Sequence, residues 1–393
     1  MSVGAIREGR AGAAWSLREA ARSALPNVVP PDSLPDHGDG GQSPAPRLRI
    51  HALRGRRLLP SGAAVGTFRR SSAPHCRPCK VTDSSSTRPT PCPTRAGYVA
   101  LAGRPNTGKS TLLNALLGEK LSIVTPKPQT TWQRVTGIHT SSSAQMILLD
   151  TPGLFEATGL LQRAMLESTV TALSEADVVL LVLDAGEAIA DGDLETIEEA
   201  LARSEAPRIV VLNKIDTVPG TLLGRRQQWV EERFGARAFL ISACDGTGIE
   251  ALHSAITLAL PAGPFLYPED ELASAPVRFF VAEMVRETVF ERYQQEIPYS
   301  VICQVEEFRE DQSPAYIGVN IFVERQSQKG IVIGKGGAGI RELGRAARLK
   351  VEHFLGRPVY LQLRVKTLAG WRRKRGELRR LGFRLAERPH ENR

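Results

Sequence analysis

Apolar and polar residues alternate in a regular way along residues 96–264. Short apolar runs of strand length lie at residues 98–102, 135–139, 145–149, 177–183, 208–212 and 238–241. Segments with the apolar spacing of a helix lie between most of these runs. Strands that alternate with helices predict an α/β domain built on a mostly parallel, doubly wound sheet.

The pattern changes in the second half of the chain. Apolar spacing predicts helices at residues 279–293 and 338–354. Strict alternation predicts strands at residues 299–308, 315–325 and 358–367. With a glycine-rich loop ahead of the second helix, the order is helix, strand, strand, loop, helix, strand. This order predicts a separate, small α+β domain.

The first apolar run leads into a glycine-rich loop, and a helical pattern follows that loop. The loop consists of Gly103, Arg104, Pro105, Asn106, Thr107, Gly108, Lys109 and Ser110. A strand, this glycine spacing and a helix together form a phosphate-binding loop. Its backbone N–H groups would face phosphate oxygens, Lys109 would reach the β- and γ-phosphates, and the Ser110 hydroxyl would bind Mg²⁺.

Three further motifs follow later apolar runs. They are Asp150, Thr151, Pro152 and Gly153; Asn213, Lys214, Ile215 and Asp216; and Ser242 with Ala243. Ligands of doubly wound sheets bind beyond the carboxyl ends of the strands, so all three motifs should meet the phosphate loop at one edge. We expect Asp150 to hold Mg²⁺ through water and the Gly153 N–H to contact the γ-phosphate.

The second and third motifs favour guanine over adenine. The Asp216 carboxylate can accept two hydrogen bonds, from guanine N1 and N2, whereas adenine has no proton at N1 and no exocyclic N2. Adenine would therefore leave a buried carboxylate unpaired. Lys214 would lie along the base, Asn213 would brace the loops, and Ser242–Ala243 would offer a backbone N–H to guanine O6. The set predicts a GTPase that binds GTP, GDP and Mg²⁺.

Residues 121–134 form a polar, proline-containing segment that we expect to be a mobile loop. Either Thr130 or Thr131 would complete the Mg²⁺ shell when the triphosphate is bound, and we favour Thr131. The segment after Gly153 would likewise respond to the triphosphate, because its γ-phosphate contact is lost on hydrolysis.

The hydrolytic step should involve Lys109, Asn106, Thr131 and Gly153. Leu154 stands where Ras-like proteins carry a glutamine that orients water, and an apolar side chain cannot do this. We therefore expect slow intrinsic hydrolysis. Asn106 has two interpretations: it helps to coordinate K⁺ beside the phosphates, or it stabilises the turn.

The second glycine loop lies inside the α+β domain and contains Gly334, Lys335, Gly336 and Gly337. Two helices that meet across such a loop bring N–H groups against a nucleic-acid backbone. This is the signature of a type II KH domain, which clamps about four nucleotides of single-stranded RNA. Arg341 and Arg345, and beyond them Arg348 and Lys350, would contact phosphates. The alternatives are a second nucleotide loop or a plain tight turn.

Charge is concentrated at the two ends of the chain. The 393 residues carry a net charge of +9, with 15 basic and 6 acidic residues in 1–95 and 19 basic and 5 acidic residues in 325–393. Residues 96–393 as a whole are neutral. The basic segment 371–393 is predicted as a tail, either a solvated surface or an RNA contact. No apolar stretch approaches the roughly 18 residues of a membrane span.

Residues 1–95 have the composition of an organelle transit peptide: rich in Ala, Arg, Ser, Pro and Gly, and poor in acids. A generic disordered tail and an incorrectly placed start codon are the alternatives. We predict this leader, an α/β domain at 96–264, a linker at 265–277 and a KH domain at 278–370.

Five cysteines are present. Cys244 and Cys303 lie in apolar surroundings and are expected to be buried thiols. Cys76 and Cys79 form half of a zinc-binding pattern, but no second half follows at usable spacing.

One GTPase domain followed by one KH domain, with these motifs, resembles the Era family over residues 96–383. Further matching sequences lie at residues 129–131, 296–300, 323–325, 328–329 and 332–340. The resemblance implies a GTP-regulated factor that binds the single-stranded 3′ end of small-subunit rRNA and supports ribosome biogenesis. It implies no obligate protein partner.

Two departures from the family pattern stand out. Trp132 replaces the usual Arg, and the usual Thr/Ser-Asp is absent before Phe279. A leader on a bacterial-type factor indicates an organelle, and the sequence resembles plastid members, which favours the chloroplast stroma over the mitochondrial matrix. Nucleotide state could control RNA binding, or the protein could be an RNA-binding assembly chaperone in which hydrolysis is incidental. A role in membrane trafficking or tRNA modification fits less well, because of the KH signature.

Overall fold

A computed structural model of the protein describes residues 94–385 and the backbone of residues 47–49. The rest of the predicted leader, with Cys76 and Cys79, lies outside the described residues. Arg47–Arg49 form a short strand, β1, inside the segment predicted to be disordered. This strand pairs antiparallel with residues 271–276.

Eight strands of the described chain form one sheet. In chain order they are β1, β2 (Arg95–Ala102), β3 (Val135–Thr140), β4 (Ala144–Asp150), β5 (Val178–Asp184), β6 (Arg208–Asn213), β7 (Phe239–Leu240) and β8 (Glu271–Pro276). Their order across the sheet is β1-β8-β3-β4-β2-β5-β6-β7. The pairs from β4 to β7 are parallel, whereas β3, β8 and β1 pair antiparallel. The predicted sheet, mostly parallel and doubly wound, is confirmed.

Five helices of the described chain cover the two faces of this sheet. They are α1 (Lys109–Leu117), α2 (Leu160–Glu175), α3 (Asp191–Leu201), α4 (Gly220–Phe234) and α5 (Ile249–Ala259). Successive strand residues point to opposite faces. Val99 and Leu101 therefore pack with α1 and α5, and Ala100 and Ala102 pack with α2, α3 and α4. Both faces of the central strands are buried, as their continuous apolar runs require.

The second domain has the αββααβ order of a KH fold. Its elements are α6 (Val277–Arg292), the single turn α7 (Ile297–Ser300), β9 (Ile302–Arg309), β10 (Ala315–Val323), α8 (Gln326–Ile333), α9 (Ala338–Leu355) and β11 (Val359–Thr367). β10 pairs parallel with β11 and antiparallel with β9. The sequence pattern did not predict α8 as a separate helix, because Gly330 interrupts its apolar spacing.

The segment between the domains differs from the predicted linker. Residues 271–276 are the strand β8, and α6 begins directly after it at Val277. Leu272 and Ala273 are buried in the apolar cluster that also contains Val277 and Phe280. One continuous core therefore runs from the sheet of the first domain into the second.

The predicted basic tail is a packed element over its described part. A 3₁₀ turn at Trp371–Arg373 precedes α10 (Arg375–Arg380). Together with Gly382 and Phe383, these elements close over a separate apolar cluster, which we call the bridging cluster. Its members are Trp132, Phe155, Leu161, Ala164, Met165, Ile302, Phe322, Trp371, Leu378, Leu381 and Phe383.

The bridging cluster draws on three parts of the chain. Trp132 and Phe155 come from loops of the α/β domain, Ile302 and Phe322 from the KH sheet, and Trp371 from the C-terminal segment. Among the residues described here, no helix is both long and apolar enough to cross a bilayer.

Candidate functional site

The phosphate loop joins β2 to α1 in a conformation that needs its glycines. Gly103 has φ +146°, Gly108 has φ +92°, and a Cβ on either would lie 2.2 Å from a neighbouring atom, Val182 O or Asn213 Nδ2. Glycine adopts such conformations without strain and leaves room for the close approach. Asn106 has φ +65° and is exposed at the tip of the loop. Asparagine tolerates this conformation, which supports the turn-stabilising interpretation.

Lys109 is buried inside the loop that precedes it. Its ammonium donates hydrogen bonds to Gly103 O (3.1 Å) and Arg104 O (2.7 Å). Burial lowers the pKa of the Lys109 ammonium to about 8, although the nearby Asp150 charge opposes this shift. The loop carbonyls thus hold a buried cation at the place where the sequence predicts phosphate.

Three oxygen-bearing side chains meet at the start of α1. Ser110 Oγ donates to Asp150 Oδ2 at 2.6 Å, and Thr131 Oγ1 lies 3.0 Å from Ser110 Oγ and 3.4 Å from Asp150 Oδ2. Asp150 is fully buried, and its Oδ1 has no hydrogen-bond partner among the described residues. Burial raises the pKa of Asp150, against the hydrogen bond from Ser110 and the Lys109 charge. A buried carboxylate with an orphaned oxygen and two hydroxyls is a donor set that suits Mg²⁺.

The structure separates the two candidate threonines. Thr131 joins Ser110 and Asp150, whereas the Thr130 hydroxyl bonds to Thr125 Oγ1 and Lys127 O, each at 2.8 Å. The geometry therefore favours Thr131 as the residue that completes the metal shell.

The motif after β4 lies beside the phosphate loop. A Cβ on Gly153 would lie 2.5 Å from Pro105 N, so only glycine fits there. Leu154 N–H donates to Gly103 O at 2.9 Å, and its side chain is buried in the core on the α2 side of the sheet. Leu154 is therefore held away from any water beside the phosphate loop. Thr151 and Pro152 are buried, and the Thr151 hydroxyl donates to Leu101 O.

Asn213 braces the loops as predicted. Its Nδ2 donates to Thr107 O (2.9 Å), and its Oδ1 accepts from Ala243 N–H (3.0 Å). Lys214 forms an ion pair with Asp184 at 2.7 Å, a partner that the sequence reasoning missed. This partner follows an apolar run like the other motifs, which is a signal that could have found it.

Of the residues predicted to recognise guanine, Asp216 is accessible to a base, whereas the N–H groups of Ser242 and Ala243 are engaged within the protein. Asp216 is exposed in the 3₁₀ turn Ile215–Thr217, open to a base. Ser242 N–H donates to Thr247 O and Ala243 N–H to Asn213 Oδ1, so both predicted N–H donors are engaged within the protein. Cys244, the next residue, is exposed, and its predicted burial was wrong; Cys303 is buried as predicted.

Arg104 has a role that its place in the loop did not reveal. Its guanidinium pairs with Glu187 and Asp193, both at 3.1 Å. These carboxylates come from the region after β5 and from α3. The Arg104 side chain therefore connects the phosphate loop with α3 and with the segment after β5.

The segment 120–134 is docked on α6. Glu287, fully buried on α6, accepts hydrogen bonds from Lys120 Nζ (3.0 Å) and from Val124 N–H (3.1 Å). It also accepts from Lys350 Nζ (2.8 Å) of the KH helix α9. Burial alone would raise the pKa of Glu287, but hydrogen bonds from the two lysines outweigh it and hold that pKa below its ordinary value.

Two more side chains fix the same segment. Lys127 donates to the carbonyls of Phe290 and Tyr293 at the end of α6, and Arg286 donates to Thr130 O at 2.6 Å. The sequence reasoning missed Arg286 and Glu287, because their partners in this segment lie more than 150 positions away. A buried ion pair at such separation leaves no local pattern.

The second glycine loop sits between α8 and α9. Gly334, Gly336 and Gly337 all have positive φ, at +72°, +58° and +77°. A Cβ on Gly334 would lie 2.7 Å from Gly339 N, so the two helices approach as closely as the sequence predicts. Lys335 is exposed at the tip of the loop.

The basic residues near this loop divide into two groups. Arg341 and Arg345 are exposed on α9 beside the loop. Lys350 instead pairs with Glu287 and Glu291, so its predicted phosphate contact is replaced by an internal ion pair. The same holds in part for the C-terminal run, where Arg372 pairs with Glu324 and Arg380 with Glu377.

Comparison with known proteins identifies relatives for both domains. Residues 98–214 match the family of 50S ribosome-binding GTPases, and residues 296–372 match the KH domain. GTPase Era of Halothermothrix orenii is 41% identical over 290 residues, which cover 74% of this chain and 98% of that protein. GTPase Era of a Mycobacterium species (strain JLS) is 43% identical over 297 residues, which cover 74% and 99%.

Two solved structures share this fold over both domains. One is an Aquifex aeolicus Era variant bound to GDP and AlF4⁻. The other is Era in complex with MgGDPNP and nucleotides 1506–1542 of 16S ribosomal RNA. Each has a TM-score of 0.71 and 38% identity, and covers 74% of this chain and 100% of the other.

Proposed function

This chain belongs to the Era family and is a GTPase, and from that premise we propose that it binds small-subunit rRNA through its KH domain under control of the bound nucleotide. Its role would be in assembly of the small ribosomal subunit. The observation that carries the proposal is the bridging cluster, which packs the two nucleotide-facing loops against the KH sheet.

The nucleotide would occupy the cleft at the carboxyl ends of the strands. Backbone N–H groups of residues 103–110 would cradle its phosphates, and Asp216 would select guanine. Ser110, Thr131 and Asp150 would hold Mg²⁺, which neutralises charge on the β- and γ-phosphates when bound. A relative with the same fold binds MgGDPNP, which supports this assignment.

Hydrolysis would rest on positioning and charge. Lys109, already buried in the loop, would release its carbonyl partners and turn to the β- and γ-phosphates. The Gly153 N–H would hold the γ-phosphate from the opposite side. Leu154 stands where a glutamine would orient the attacking water, and its apolar side chain lies in the core. We therefore propose a slow intrinsic rate of GTP hydrolysis. K⁺ beside Asn106 would supply part of the missing charge.

RNA would bind along α8, the glycine loop and α9. The loop offers backbone N–H groups with no side chain in the way, and Lys335, Arg341 and Arg345 surround it with positive charge. The complex of a relative with nucleotides 1506–1542 of 16S rRNA supports small-subunit rRNA as the ligand, and we propose that its single-stranded 3′ region is the part bound.

Control by the nucleotide would pass through the bridging cluster. Trp132 directly follows Thr131, and Phe155 lies two residues after Gly153, so both are tied to γ-phosphate contacts. A two-state change in either loop would repack the cluster beneath the KH sheet. We propose that the triphosphate state binds RNA more tightly, since the relative's complex pairs MgGDPNP with rRNA.

The RNA assignment is tested by changing the loop alone. Lys335→Asp with Gly336→Asp should weaken binding to a fluorescent RNA of the 16S 3′ sequence by about tenfold or more. GDP affinity should not change, because the loop lies in the other domain. The matched control, Arg225→Asp with Gly224→Asp, makes the same charge change on exposed positions of α4 in the α/β domain. Equal losses for both pairs would contradict the assignment to the loop.

The organelle remains a prediction. Most of the leader lies outside the described residues, and the relatives named above are bacterial. Import assays with the leader fused to a fluorescent protein would distinguish the chloroplast stroma from the mitochondrial matrix.

A further inference from the structure

Arg286 is a buried arginine of α6, at the start of the KH domain. Only 1% of it is exposed. Its Nε and Nη2 donate to the two carboxylate oxygens of Glu283, one turn earlier on the same helix. This fork fixes the plane of the guanidinium, since both carboxylate oxygens are engaged.

The fixed guanidinium contacts both neighbours of Thr131. Its Nη2 also donates to Thr130 O at 2.6 Å. Its Cζ lies 5.0 Å from the centroid of the Trp132 ring, within the range of a cation–π contact. One side chain thus contacts the residue immediately before the threonine and the residue immediately after it.

Thr131 lies between these two anchors, at the predicted metal site. Its hydroxyl is 3.0 Å from Ser110 Oγ and 3.4 Å from Asp150 Oδ2. Thr125 and Lys127 hold Thr130 on one side, but the backbone carbonyl of Thr130 is held by Arg286. A shift of that carbonyl would rotate the peptide that leads into Thr131.

We propose that Arg286 is a positioning residue for GTP hydrolysis: by holding Thr130 and Trp132 it sets the Thr131 hydroxyl at the metal site. The inference rests on the proposed role of Thr131 in holding Mg²⁺. It means that a residue of the KH-side helix helps to build the hydrolytic site of the other domain. The same guanidinium lies against the ring of Trp132, the residue that departs from the family pattern.

The role predicts a specific kinetic pattern. Thr131 contributes only with the triphosphate bound, whereas GDP would be held by the phosphate loop and Asp216, which do not contact Arg286. Loss of Arg286 should therefore lower kcat and leave GDP affinity unchanged. A purely structural role would instead lower both.

The experiment measures kcat and KM for GTP, and Kd for GDP, on the full chain. Arg286→Lys keeps a charge beside Glu283 but cannot form the fork, so it is the variant with the better prospect of folding; Arg286→Met removes the charge as well. Arg278→Met, an exposed arginine of the same helix, is the matched control. Thr131→Ala, and the double variant with Arg286→Lys, complete a double-mutant cycle.

We expect kcat to fall about tenfold in Arg286→Lys, with GDP affinity within about twofold of the parent. The double variant should lose little beyond Thr131→Ala alone, because both changes remove the same contact. The inference is overturned if Arg286→Lys keeps full kcat while Thr131→Ala does not. It is also overturned if the losses of kcat in Arg286→Lys and Thr131→Ala add fully in the double variant, or if GDP affinity falls together with kcat in Arg286→Lys. If Thr131→Ala itself keeps full kcat, the proposed metal role of Thr131 fails instead.

Discussion

The indole rings of Trp132 and Trp371 lie 5.7 Å apart between centroids, at an angle of 40°. Trp132 follows the threonine of the candidate metal site, and Trp371 belongs to the segment after the last KH strand. Both residues belong to the bridging cluster. The contact between the two rings connects a nucleotide-facing loop with the C-terminal segment, which the sequence pattern predicted to be a tail.

Trp371→Ala tests whether this cluster stabilises the molecule. The ring is fully buried and its Nε1–H donates to Ser300 O at 3.1 Å. We expect the free energy of unfolding to fall by about 3–5 kcal/mol, measured by circular dichroism in urea. Trp229→Ala is the control, because Trp229 is only partly buried and lies outside the cluster. A Trp371→Ala protein as stable as the parent would contradict the packing described here.

Glu287→Gln tests the buried ion pairs that dock segment 120–134 on α6. The folded-state pKa of Glu287 lies below its ordinary value, so the carboxylate contributes stability above the unfolded pKa of about 4.3. That contribution is lost as the pH falls through the folded pKa. At pH 7 we expect the variant to be about 2 kcal/mol less stable than the parent.

The pH dependence provides the control for this prediction. The difference in unfolding free energy between parent and Glu287→Gln should shrink as the pH is lowered from 6 to about 3. A difference that stays constant over this range would show that the carboxylate charge does not stabilise the docked segment.

The motifs of the nucleotide site could be predicted from the sequence. Gly103, Lys109, Asp150 and Asp216 sit in contiguous motifs, each directly after an apolar run, and the parallel sheet brings such positions to one edge. The structure places all four there. Alternation at residues 315–325 likewise located β10 to within two residues.

The contacts between the two domains could not be predicted from the sequence. Glu287 and Lys120 are 167 positions apart, and nothing in either neighbourhood marks them as partners. Trp371, Leu378 and Phe383 are embedded in a strongly basic run, which hid their apolar spacing. The acidic composition around residue 270 suggested a linker, although β8 begins at Glu271. In each case tertiary packing decided the structure, and local pattern did not.

Asp216→Asn should change the base preference from guanine to xanthine. The amide can donate to the O2 of xanthine but cannot accept two hydrogen bonds from guanine. GDP affinity should fall by at least about 100-fold and xanthosine diphosphate affinity should rise, measured by competition with a fluorescent nucleotide. Asp191→Asn, the same change at an exposed carboxylate of α3, should leave both unchanged. Unaltered GDP affinity in Asp216→Asn would refute the base assignment.

Asn106→Gly separates the two interpretations of that residue. Glycine keeps the backbone at φ +65° but removes the amide. If Asn106 helps to coordinate K⁺, the parent should hydrolyse GTP about tenfold faster in K⁺ than in Na⁺, and the variant should lose this difference. Equal rates of the parent in both salts would leave only the turn-stabilising role.

The measurement that bears most directly on the central claim is RNA affinity in the two nucleotide states. A fluorescent RNA of the 16S 3′ sequence is titrated with protein saturated with Mg²⁺ and either GDPNP or GDP, at one fixed salt concentration. Asp150→Ala serves as the control that lacks the carboxylate at the metal site. We predict that the parent binds RNA about tenfold more tightly with GDPNP and that Asp150→Ala shows no difference. Equal RNA affinity of the parent in the two states would contradict nucleotide control and favour an RNA-binding chaperone whose hydrolysis is incidental.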